Sequence, residues 1–314
     1  MNKNRKCIIW GNGIDYHNVF NLLEYEVMKQ NINIVGIVSR KKDRAGVSLD
    51  GFPYIEREEL RELEFDYIIV TSRRKYAEIR MEIIDLGISG KKIVNSEVLF
   101  IPCFDFNRYF NLIENPITVF SDDCWGGMLL HSLHLEFCTP TVNTLFEDKG
   151  DYIKFVGNLP LYLNMELKKK QEGSLRDNVY PVANLGNDAD EVSISFPHVV
   201  DFAQGEREWN RRKERINYDN IFIKLALEAE EFDRQVGDTF LSKWKQLPFK
   251  KVCFCSVEDG FDSSIYVKRF ELYKKANDFI PSYNYPAYVR QMGELFQSID
   301  ILKMLNGEED FIRQ

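Results

Sequence analysis

Apolar positions in the first hundred residues fall into two patterns, short continuous runs and runs with helical spacing. The continuous runs predict buried strands at 6–10, 32–39, 65–72 and 91–95. Apolar residues three or four positions apart predict amphipathic helices over about 16–27 and 76–86. Strands that alternate with helices are typical of a parallel sheet with right-handed crossovers. We therefore predict a small Rossmann-like domain over residues 1–100.

Residues 101–116 follow this domain and are rich in aromatic side chains. Because Gly and Ser are scarce there, we predict a linker that packs rather than a flexible one. Residues 117–314 are predicted to form a second domain in which strands and helices alternate less regularly. Its strands are predicted at 180–185, 192–196, 220–225 and 251–256, and its helices at 125–136, 202–216, 228–244 and 285–305. The predicted fold class is α/β, an N-terminal Rossmann-like parallel sheet followed by a second, less regular α/β domain.

The amino-acid composition of the chain indicates which kinds of partner it is expected to bind. The 314 residues are 44% hydrophobic and 13% aromatic, which supports full cores. A formal net charge of −8 gives no electrostatic reason to expect nucleic acid or an anionic membrane. No apolar run approaches the ~20 residues of a membrane span, and the N-terminus shows no signal peptide, so we expect a cytoplasmic protein. The six cysteines show no zinc-like framework and are expected to be reduced thiols, mostly in cores.

The turn Gly11-Asn12-Gly13 stands between the first strand and the first helix, where a dinucleotide fingerprint would lie. Glycines there let a phosphate approach the backbone at a helix N-terminus. Tyr16 replaces the third glycine of the fingerprint, and Ser39 replaces the acidic residue that would bind the ribose. Gly11 and Gly13 are therefore candidate residues for binding a nucleotide or nucleotide-sugar, but the pattern predicts the fold more strongly than the ligand.

The N-terminal module resembles a known family through four motifs. They are Ile8-Ile9-Trp10-Gly11-x-Gly13, Ile34-Val35-Gly36-Ile37-Val38, Gly51-Phe52-Pro53 and Asp66-Tyr67-Ile68-Ile69-Val70. The module is similar to the N-terminal domain of bacterial nucleotide-sugar acyltransferases. This resemblance implies that the glycine turn faces a nucleotide-sugar. The hexapeptide repeats of those enzymes are absent from the sequence, so their acetyl transfer is not implied.

The sharpest concentration of chemistry lies in residues 117–130, ITVFSDDCWGGMLL. A short apolar run leads into a polar turn and then into a second apolar run that can start a helix. This order predicts a strand, a turn and a helix N-terminus, where α/β proteins tend to place their sites. The candidate catalytic residues are Asp122, Asp123, Cys124 and His198, and the candidate substrate-binding residues are Trp125, Gly126, Gly127 and Asn143.

Cys124 suggests nucleophilic chemistry. A thiol in the first helical turn is favoured as thiolate by the helix dipole, and Cys followed by Trp at a helix start is similar to papain-like cysteine hydrolases. His198 would serve as the base, oriented by Asp201 or Asn220. Against this, Asp122 and Asp123 place negative charge beside the sulfur and raise its pKa. The alternative is that one aspartate caps the helix while the thiol only fills space.

The two aspartates suggest other chemistry as well. Carboxylates at a strand end suit a divalent cation beside a sugar diphosphate, although helix capping is the commoner role for such a pair. In a further version, backbone N–H groups of Gly126 and Gly127 bind an anion while His198 acts as general base. The spacing of His131, His134 and Cys138 permits a transition-metal site, but no fourth ligand is evident, so we predict two partly exposed histidines and no metal site.

Two other segments leave alternatives open. Charges of both signs alternate over residues 206–215, which predicts a solvated helix face. An arginine of that helix that turns inward would instead suit a phosphate or carboxylate. Aromatic residues between 279 and 288 suit either a sugar-stacking platform or a packed corner of the core.

The second domain resembles an uncharacterised bacterial family often labelled exopolysaccharide biosynthesis. The motifs are Cys124-Trp125-Gly126-Gly127, Pro140-Thr141-Val142-Asn143, Phe196-Pro197-His198 and Arg215-Ile216-Asn217-Tyr218-Asp219-Asn220. The resemblance implies an enzyme of surface-polysaccharide synthesis or modification that transfers a group to or from an activated sugar. Its ligand would be a nucleotide-sugar or saccharide, and its oligomeric state stays open. The alternatives are a non-catalytic protein that senses a nucleotide, and a cysteine-dependent hydrolase or acyltransferase that uses Cys124 and His198.

Overall fold

The computed structural model describes residues 4–39, 48–175, 178–187, 190–227, 238–255, 264–266 and 299–312. The chain divides into two compact units. The first unit contains the chain up to Glu114 together with the C-terminal residues 299–312, and the second unit begins at Asn115. Each unit is built on a parallel sheet with helices, so the predicted α/β class is confirmed. The predicted domain boundaries stay predictions.

The sheet of the first unit has the strand order β3-β4-β2-β1-β5-β6 in the described part of the chain. Its strands are β1 (Arg5–Trp10), β2 (Ile32–Val38), β3 (Ser48–Leu49), β4 (Phe52–Ile55), β5 (Tyr67–Val70) and β6 (Ile93–Asn95). Neighbours are parallel except β3 and β4. The chain leaves central β1 toward β2 on one side and later returns to β5 on the other. The topological switch point therefore lies between β1 and β5.

Three helices of the first unit follow from its hydrophobic pattern, and they are α1 (Ile14–Met28), α2 (Tyr76–Asp85) and α3 (Phe106–Glu114). α1 buries Tyr16, Val19 and Leu23 on one face, as its spacing predicts. α3 lies within the segment predicted to be a packed linker. The ring of Phe110 in this helix stacks on Tyr67 with 3.9 Å between centroids, which explains why the segment packs.

The second unit has a parallel sheet with the order β13-β12-β11-β7 among the residues described. Between its first two strands in the chain lie four helices and the antiparallel sheet β10-β9-β8. The elements in chain order are β7 (Thr118–Ser121), α4 (Trp125–Ser132), α5 (Lys149–Gly157), α6 (Leu159–Asn164), β8 (Lys168–Leu175), β9 (Asn178–Leu185), β10 (Val192–Ser195), α7 (Phe202–Lys213), β11 (Ile221–Leu227), α8 (Asp238–Gln246), β12 (Lys250–Cys255) and β13 (Ser264–Tyr266).

A continuous apolar core underlies this second sheet. It contains Phe120 of β7, Phe155 of α5 and Trp209 of α7, all fully buried. Cys253 and Cys255 of β12 both lie in the same core, in agreement with their alternation along one strand. Since the core holds β7 and β11 together from one side, the carboxyl ends of these strands have a defined position.

Some elements differ from the sequence-based prediction, and others lie partly outside the described residues. β8 was not predicted, because residues 168–170 are all lysine and the strand is held by its backbone ladder with β9. Within the predicted helix over 285–305, residues 301–305 are helical in α9 (Ile301–Asn306), whereas Ile299 forms a bridge with Ile312 and Asp300 is extended and caps α9. The parts of the predicted helices at 228–237 and 285–298 lie outside the described residues.

Candidate functional site

The carboxyl edge of β7 brings together the residues of the Asp-Asp-Cys-Trp turn. Ser121 ends the strand and pairs with Lys224 of the neighbouring strand β11. Asp122, Asp123 and Cys124 form the turn, and α4 begins at Trp125. The predicted order of strand, turn and helix is therefore confirmed. The turn faces a lysine that the motif itself does not contain.

Asp122 and Lys224 form a buried ion pair at the centre of this edge. The carboxylate of Asp122 is 0% exposed and the Lys224 side chain 1%. Lys224 Nζ lies 3.0 Å from Asp122 Oδ1, and Lys149 Nζ lies 2.6 Å from Asp122 Oδ2. The backbone N–H of Ala226 donates to Asp122 Oδ2 at 3.2 Å. Both oxygens of the buried carboxylate are therefore satisfied, as burial of a charge requires.

Asp123 joins the same cluster from its more exposed side. Its Oδ2 accepts from Lys224 Nζ at 2.6 Å, and its side chain is 29% exposed. Its Oδ1 accepts from Ser121 Oγ at 3.0 Å and from the N–H of Trp125, the first residue of α4, at 2.9 Å, although the N-cap of that helix is Cys124. Burial opposes its charge, but the nearby Lys224 ammonium outweighs burial and lowers the pKa of Asp123. The carboxylate is thus kept ionised, as an acceptor rather than an acid.

The pKa of Lys224 is shifted in the opposite direction, upward. Burial alone disfavours its charge, but the charges of Asp122 and Asp123 outweigh burial and raise the pKa of Lys224. Its ammonium also lies 6.0 Å from the centre of the Trp125 ring. We will call Asp122, Asp123, Lys149 and Lys224 the ion cluster.

The ion cluster changes the interpretation of the two aspartates as cation ligands. The ammonium of Lys224 contacts both carboxylates and occupies the position that a bridging metal would take. Among the residues described, no three His, Cys, Asp or Glu side chains are grouped so that they could hold a metal ion. His131 and His134 lie with ring centroids 6.3 Å apart. A divalent cation between Asp122 and Asp123 is therefore not supported, because a lysine already neutralises them.

Cys124 is half-buried at the start of α4, and its Sγ lies 4.0 Å from the Thr144 carbonyl oxygen. Burial, together with the negative charge of Asp123, raises the pKa of Cys124 to about 12. The thiol is therefore protonated at neutral pH, in contrast to the thiolate that a nucleophile needs. The assignment of Cys124 as nucleophile stays a prediction that these electrostatics do not favour.

His198 lies in the turn between β10 and α7 and is exposed. Burial of part of the ring lowers its pKa. The two residues expected to orient it bind elsewhere: Asp201 caps α7 by accepting from the Gln204 N–H at 2.7 Å, and Asn220 Oδ1 accepts from Lys250 Nζ at 2.6 Å. Within the described ranges no hydrogen bond joins His198 to Cys124. The orientation of His198 by Asp201 or Asn220 stays a prediction, which these other partners do not favour.

Trp125, Gly126 and Gly127 are buried and pack closely at this edge. The ring of Trp125 meets Phe254 of β12 edge to face at 5.4 Å. A Cβ on Gly126 would lie 3.0 Å from Ser121 Cβ, and one on Gly127 would lie 3.0 Å from Val142 Cγ1. The glycines thus allow α4 to approach β7 and the loop at 139–144. Their assignment to anion or substrate binding stays a prediction, and their observed role is packing.

The loop at 139–144 borders the turn and carries Asn143. Asn143 is half-buried with a left-handed backbone, φ +61°. The loop is tied to β7 by a 3.4 Å hydrogen bond from the Ser121 N–H to Thr141 Oγ1. From α7, Arg212 Nη1 donates to the Val142 carbonyl oxygen at 3.3 Å. Asn143 is therefore the one predicted substrate-binding residue of this unit that is both polar and partly accessible.

In the first unit, the Gly11-Asn12-Gly13 turn lies at the carboxyl end of β1. Gly11 is left-handed with φ +109°, and a Cβ there would lie 2.7 Å from Thr71 Oγ1. Gly13 is the N-cap of α1 and gives that helix no side-chain cap. Asn12 accepts from Ser39 Oγ and donates to Tyr54 OH, both at 3.1 Å. In the part of the chain that the structure describes, the helix N-terminus at this turn therefore has no side-chain cap and lies beside the neutral groups of Asn12, Ser39 and Tyr54.

Sequence reasoning missed Lys149, Lys224 and Arg212. The signal for Lys224 was a lone lysine in the strand sequence IFIKLAL, where every other residue is apolar. The predicted aromatic platform at 279–288 lies outside the described residues. None of the helices described combines the length and apolar character needed to cross a bilayer.

Comparison with known proteins gives the family. A family model described as a domain of unknown function (DUF1919) matches residues 95–306, more than half of the chain. The chain therefore belongs to this family. A second model, described as C2185-like, N-terminal, matches residues 3–94. An uncharacterized protein of Haemophilus influenzae is 31% identical over 170 residues, which are 53% of this chain and 75% of that protein. Membership in an uncharacterised family is confirmed, whereas the exopolysaccharide label stays a prediction.

Two solved structures are more distant matches. The "putative oxidoreductase yvaA" of Bacillus subtilis is 14% identical with a TM-score of 0.24, and the match covers 61% of this chain and 63% of that one. A D-galactose-1-dehydrogenase of Rhizobium etli is 13% identical with a TM-score of 0.22, covering 62% and 70%. The chain thus spans less than two thirds of the first of these proteins. Similarity this low carries no argument about function.

The first prediction concerns the reactivity of Cys124. We expect iodoacetamide at pH 8 to label exposed Cys103 first and Cys124 at least about 100-fold more slowly, because only the thiolate reacts and burial keeps Cys124 protonated. Mass spectrometry of timed digests measures each rate. Fast labelling of Cys124 with an apparent pKa below 8 would show that the thiol is activated.

The second prediction concerns the ion cluster. The substitution Lys224→Met leaves two carboxylates without their shared ammonium, so we expect the free energy of unfolding to fall by about 3–5 kcal/mol. Urea denaturation followed by tryptophan fluorescence measures the change. The matched control Lys243→Met removes an exposed lysine of α8 and should change stability by less than about 0.5 kcal/mol. Equal effects of the two substitutions would contradict a structural role for the cluster.

The same variant also alters the pH dependence of stability. The lowered pKa of Asp123 stabilises the fold above its unfolded value of about 3.9, and this is lost as pH falls through the folded value. The raised pKa of Lys224 stabilises the fold below its unfolded value of about 10.4, and this is lost as pH rises through the folded value. Both losses should shrink in Lys224→Met.

Proposed function

We propose that this DUF1919 protein is an enzyme of surface-polysaccharide metabolism that transfers a group to or from an activated sugar, and that its first unit binds the nucleotide part of that sugar. The observation that carries the proposal is the position of the Gly11-Asn12-Gly13 turn. It lies at the carboxyl end of β1, beside the switch point between β1 and β5. Open α/β sheets bind ligands in the crevice at such a point.

The backbone of the turn supports binding of a phosphate. Gly13 gives α1 no side-chain cap, which leaves the N–H groups of Ile14 and Asp15 to an anion, whereas the Tyr16 N–H already donates to the Gly13 carbonyl oxygen at 3.0 Å. Asp15 in the first turn already accepts from the Arg73 N–H at 3.1 Å, which ties the helix start to the chain after β5. A diphosphate at this position would accept from the backbone without needing a cationic side chain.

The polar groups around the turn favour a nucleotide-sugar over a dinucleotide. A dinucleotide site has a carboxylate at the end of the second strand for the ribose hydroxyls. Here Ser39 stands at that position and its hydroxyl donates to Asn12. Tyr16, at the third glycine position, is buried, and its hydroxyl donates to Asp50 at 2.7 Å. Neutral hydroxyl and amide groups suit the hydroxyls of a sugar.

Within the second unit, the group that best suits a saccharide hydroxyl is the carboxylate of Asp123. Asp123 is ionised, partly exposed and fixed by Lys224, so it suits a hydrogen bond from a sugar hydroxyl. Asn143 would add an amide on the neighbouring loop. A cysteine-dependent reaction is less supported, because the Cys124 thiol is protonated and no hydrogen bond joins it to His198 among the described residues.

The third prediction tests the turn with Gly13→Asp. We expect UDP-glucose at about 100 times its Kd to stabilise the native protein by about 2.7 kcal/mol, and we expect this stabilisation to vanish in the variant. The new carboxylate would accept from the helix N–H groups and repel a phosphate. A side chain fits at Gly13, because among the described residues no atom beyond its chain neighbours lies within 4 Å of an added Cβ. Thermal melts with and without ligand measure the effect.

The design separates folding from binding. The melting temperature of ligand-free Gly13→Asp should equal or exceed that of the original chain, because an N-cap aspartate stabilises a helix. Gly13→Ala is the matched control and should keep its response to UDP-glucose. An unchanged response in Gly13→Asp, or none in the original chain with any nucleotide-sugar, would reject the proposal. Binding without turnover of any sugar acceptor would favour a nucleotide sensor over an enzyme.

A further inference from the structure

Arg212 is the arginine of α7 that turns inward. It is only 9% exposed, while its neighbour Arg211 is exposed. Its side chain runs from α7 to the loop at 139–144, where Nη1 donates to the Val142 carbonyl oxygen at 3.3 Å. The alternating charges of this helix are therefore not all on a solvated face.

The hydrogen bonds of this guanidinium are incomplete. Its Nη2 lies 2.5 Å from Glu208 Oε2, one turn earlier on α7. The other oxygen of Glu208 accepts from Gln204 Nε2 at 3.2 Å, so Glu208 binds the guanidinium through one oxygen. The Nε of Arg212 is buried and has no hydrogen-bond partner among the described residues. A buried donor left unpaired is costly, and in native proteins it calls for an explanation.

The charge of Arg212 is also incompletely neutralised. Glu208 is its ion-pair partner and is itself 30% exposed. Burial lowers the pKa of Arg212, and the positive charges of Arg211 and Arg215 add to this effect against Glu208. Since Arg215 lies 3.3 Å from Glu136, that acid is already paired. The end of α7 thus holds an excess of positive charge beside the loop.

We infer that Arg212 binds an oxyanion group, a phosphate or a carboxylate, of a small ligand of the second unit. Nε and Nη2 form the edge of the guanidinium that binds such groups with two parallel hydrogen bonds. The carboxylate of Glu208 pairs with Nη2, whereas Nε has no hydrogen-bond partner among the described residues. An arriving oxyanion takes Nε and displaces the partly exposed Glu208 from Nη2. The inference does not depend on the glycine turn of the first unit.

The loop gives this site its position relative to the candidate residues at the carboxyl edge of β7. The carbonyl oxygen of Val142, which accepts the hydrogen bond from Arg212, directly precedes Asn143 in the loop. The carbonyl oxygen of the next residue, Thr144, lies 4.0 Å from Cys124 Sγ. Two neighbouring hydroxyls, Thr139 Oγ1 and Thr141 Oγ1, are 3.0 Å apart and hold the loop in place. A ligand anchored on Arg212 would thus be bound beside the residues singled out from the sequence.

The fourth prediction follows from competition between the anion and Glu208. We expect inorganic phosphate to bind saturably, and Glu208→Gln to tighten this binding by about 5- to 10-fold, because the variant removes the competing charge. Phosphorus NMR titration measures both constants. These titrations use protein that also carries Gly13→Asp, in which we expect no phosphate to bind at the glycine turn of the first unit. Acetate in place of phosphate tells whether a carboxylate is accepted at the same site.

Two substitutions on one helix provide the matched control. Arg212→Gln should abolish phosphate binding, whereas Arg211→Gln, with the same change of charge at an exposed position, should reduce the affinity less than twofold. Equal losses in the two variants would show diffuse attraction to the basic helix end and overturn the inference. So would the absence of saturable binding, or weaker binding in Glu208→Gln, a variant that keeps Arg212 and therefore does not depend on the folding of Arg212→Gln.

Discussion

The buried contact between Asp122 and Lys224 determines the geometry of the second unit at its candidate site. Both side chains are almost completely removed from water, so each must be neutralised where it lies. Lys224 of β11 neutralises the Asp122 carboxylate from the strand next to β7, and Lys149 neutralises it from the start of α5. The Asp122 carbonyl also accepts from the Phe146 N–H at 2.8 Å. One aspartate therefore ties two strands, a helix and a loop to the same point.

This constraint also determines which chemistry the edge can offer. The lysine that neutralises Asp122 holds Asp123 ionised, and the carboxylate of Asp123 helps to hold the Cys124 thiol protonated. The glycines after Trp125 allow α4 to pack closely, and their assignment to anion binding stays a prediction. Two polar groups of this edge are partly accessible, the carboxylate of Asp123, which Lys224 holds in place, and the amide of Asn143. These groups orient hydroxyl groups well and are poor nucleophiles, which favours a role in positioning a saccharide.

The sequence predicted the elements whose signal is local and missed those that depend on a distant partner. β1, β2 and α1 could be predicted because apolar runs and helical spacing appear within ten or twenty residues. Lys224 stood out in an apolar strand, but its partner Asp122 is 102 positions away, and no local pattern joins them. β8 could not be predicted because its three lysines interrupt any apolar pattern, and the strand is stabilised by its antiparallel pairing with β9. The direction of Arg212 was undetermined for the same reason, since only the packed fold decides which arginine of a charged helix turns inward.

Two of the buried cations of this unit, Lys224 and Arg212, show how a structural charge differs from one that is available to a ligand. Lys224 contacts two carboxylates, and their negative charge raises its pKa despite full burial. Arg212 has one partly exposed carboxylate, an unpaired Nε and a pKa lowered by burial. A cation whose surroundings already favour its charge gains little from a further anion, whereas one whose charge is disfavoured gains more. By this argument the protein uses Lys224 to build the edge of the sheet and leaves Arg212 able to bind a ligand there.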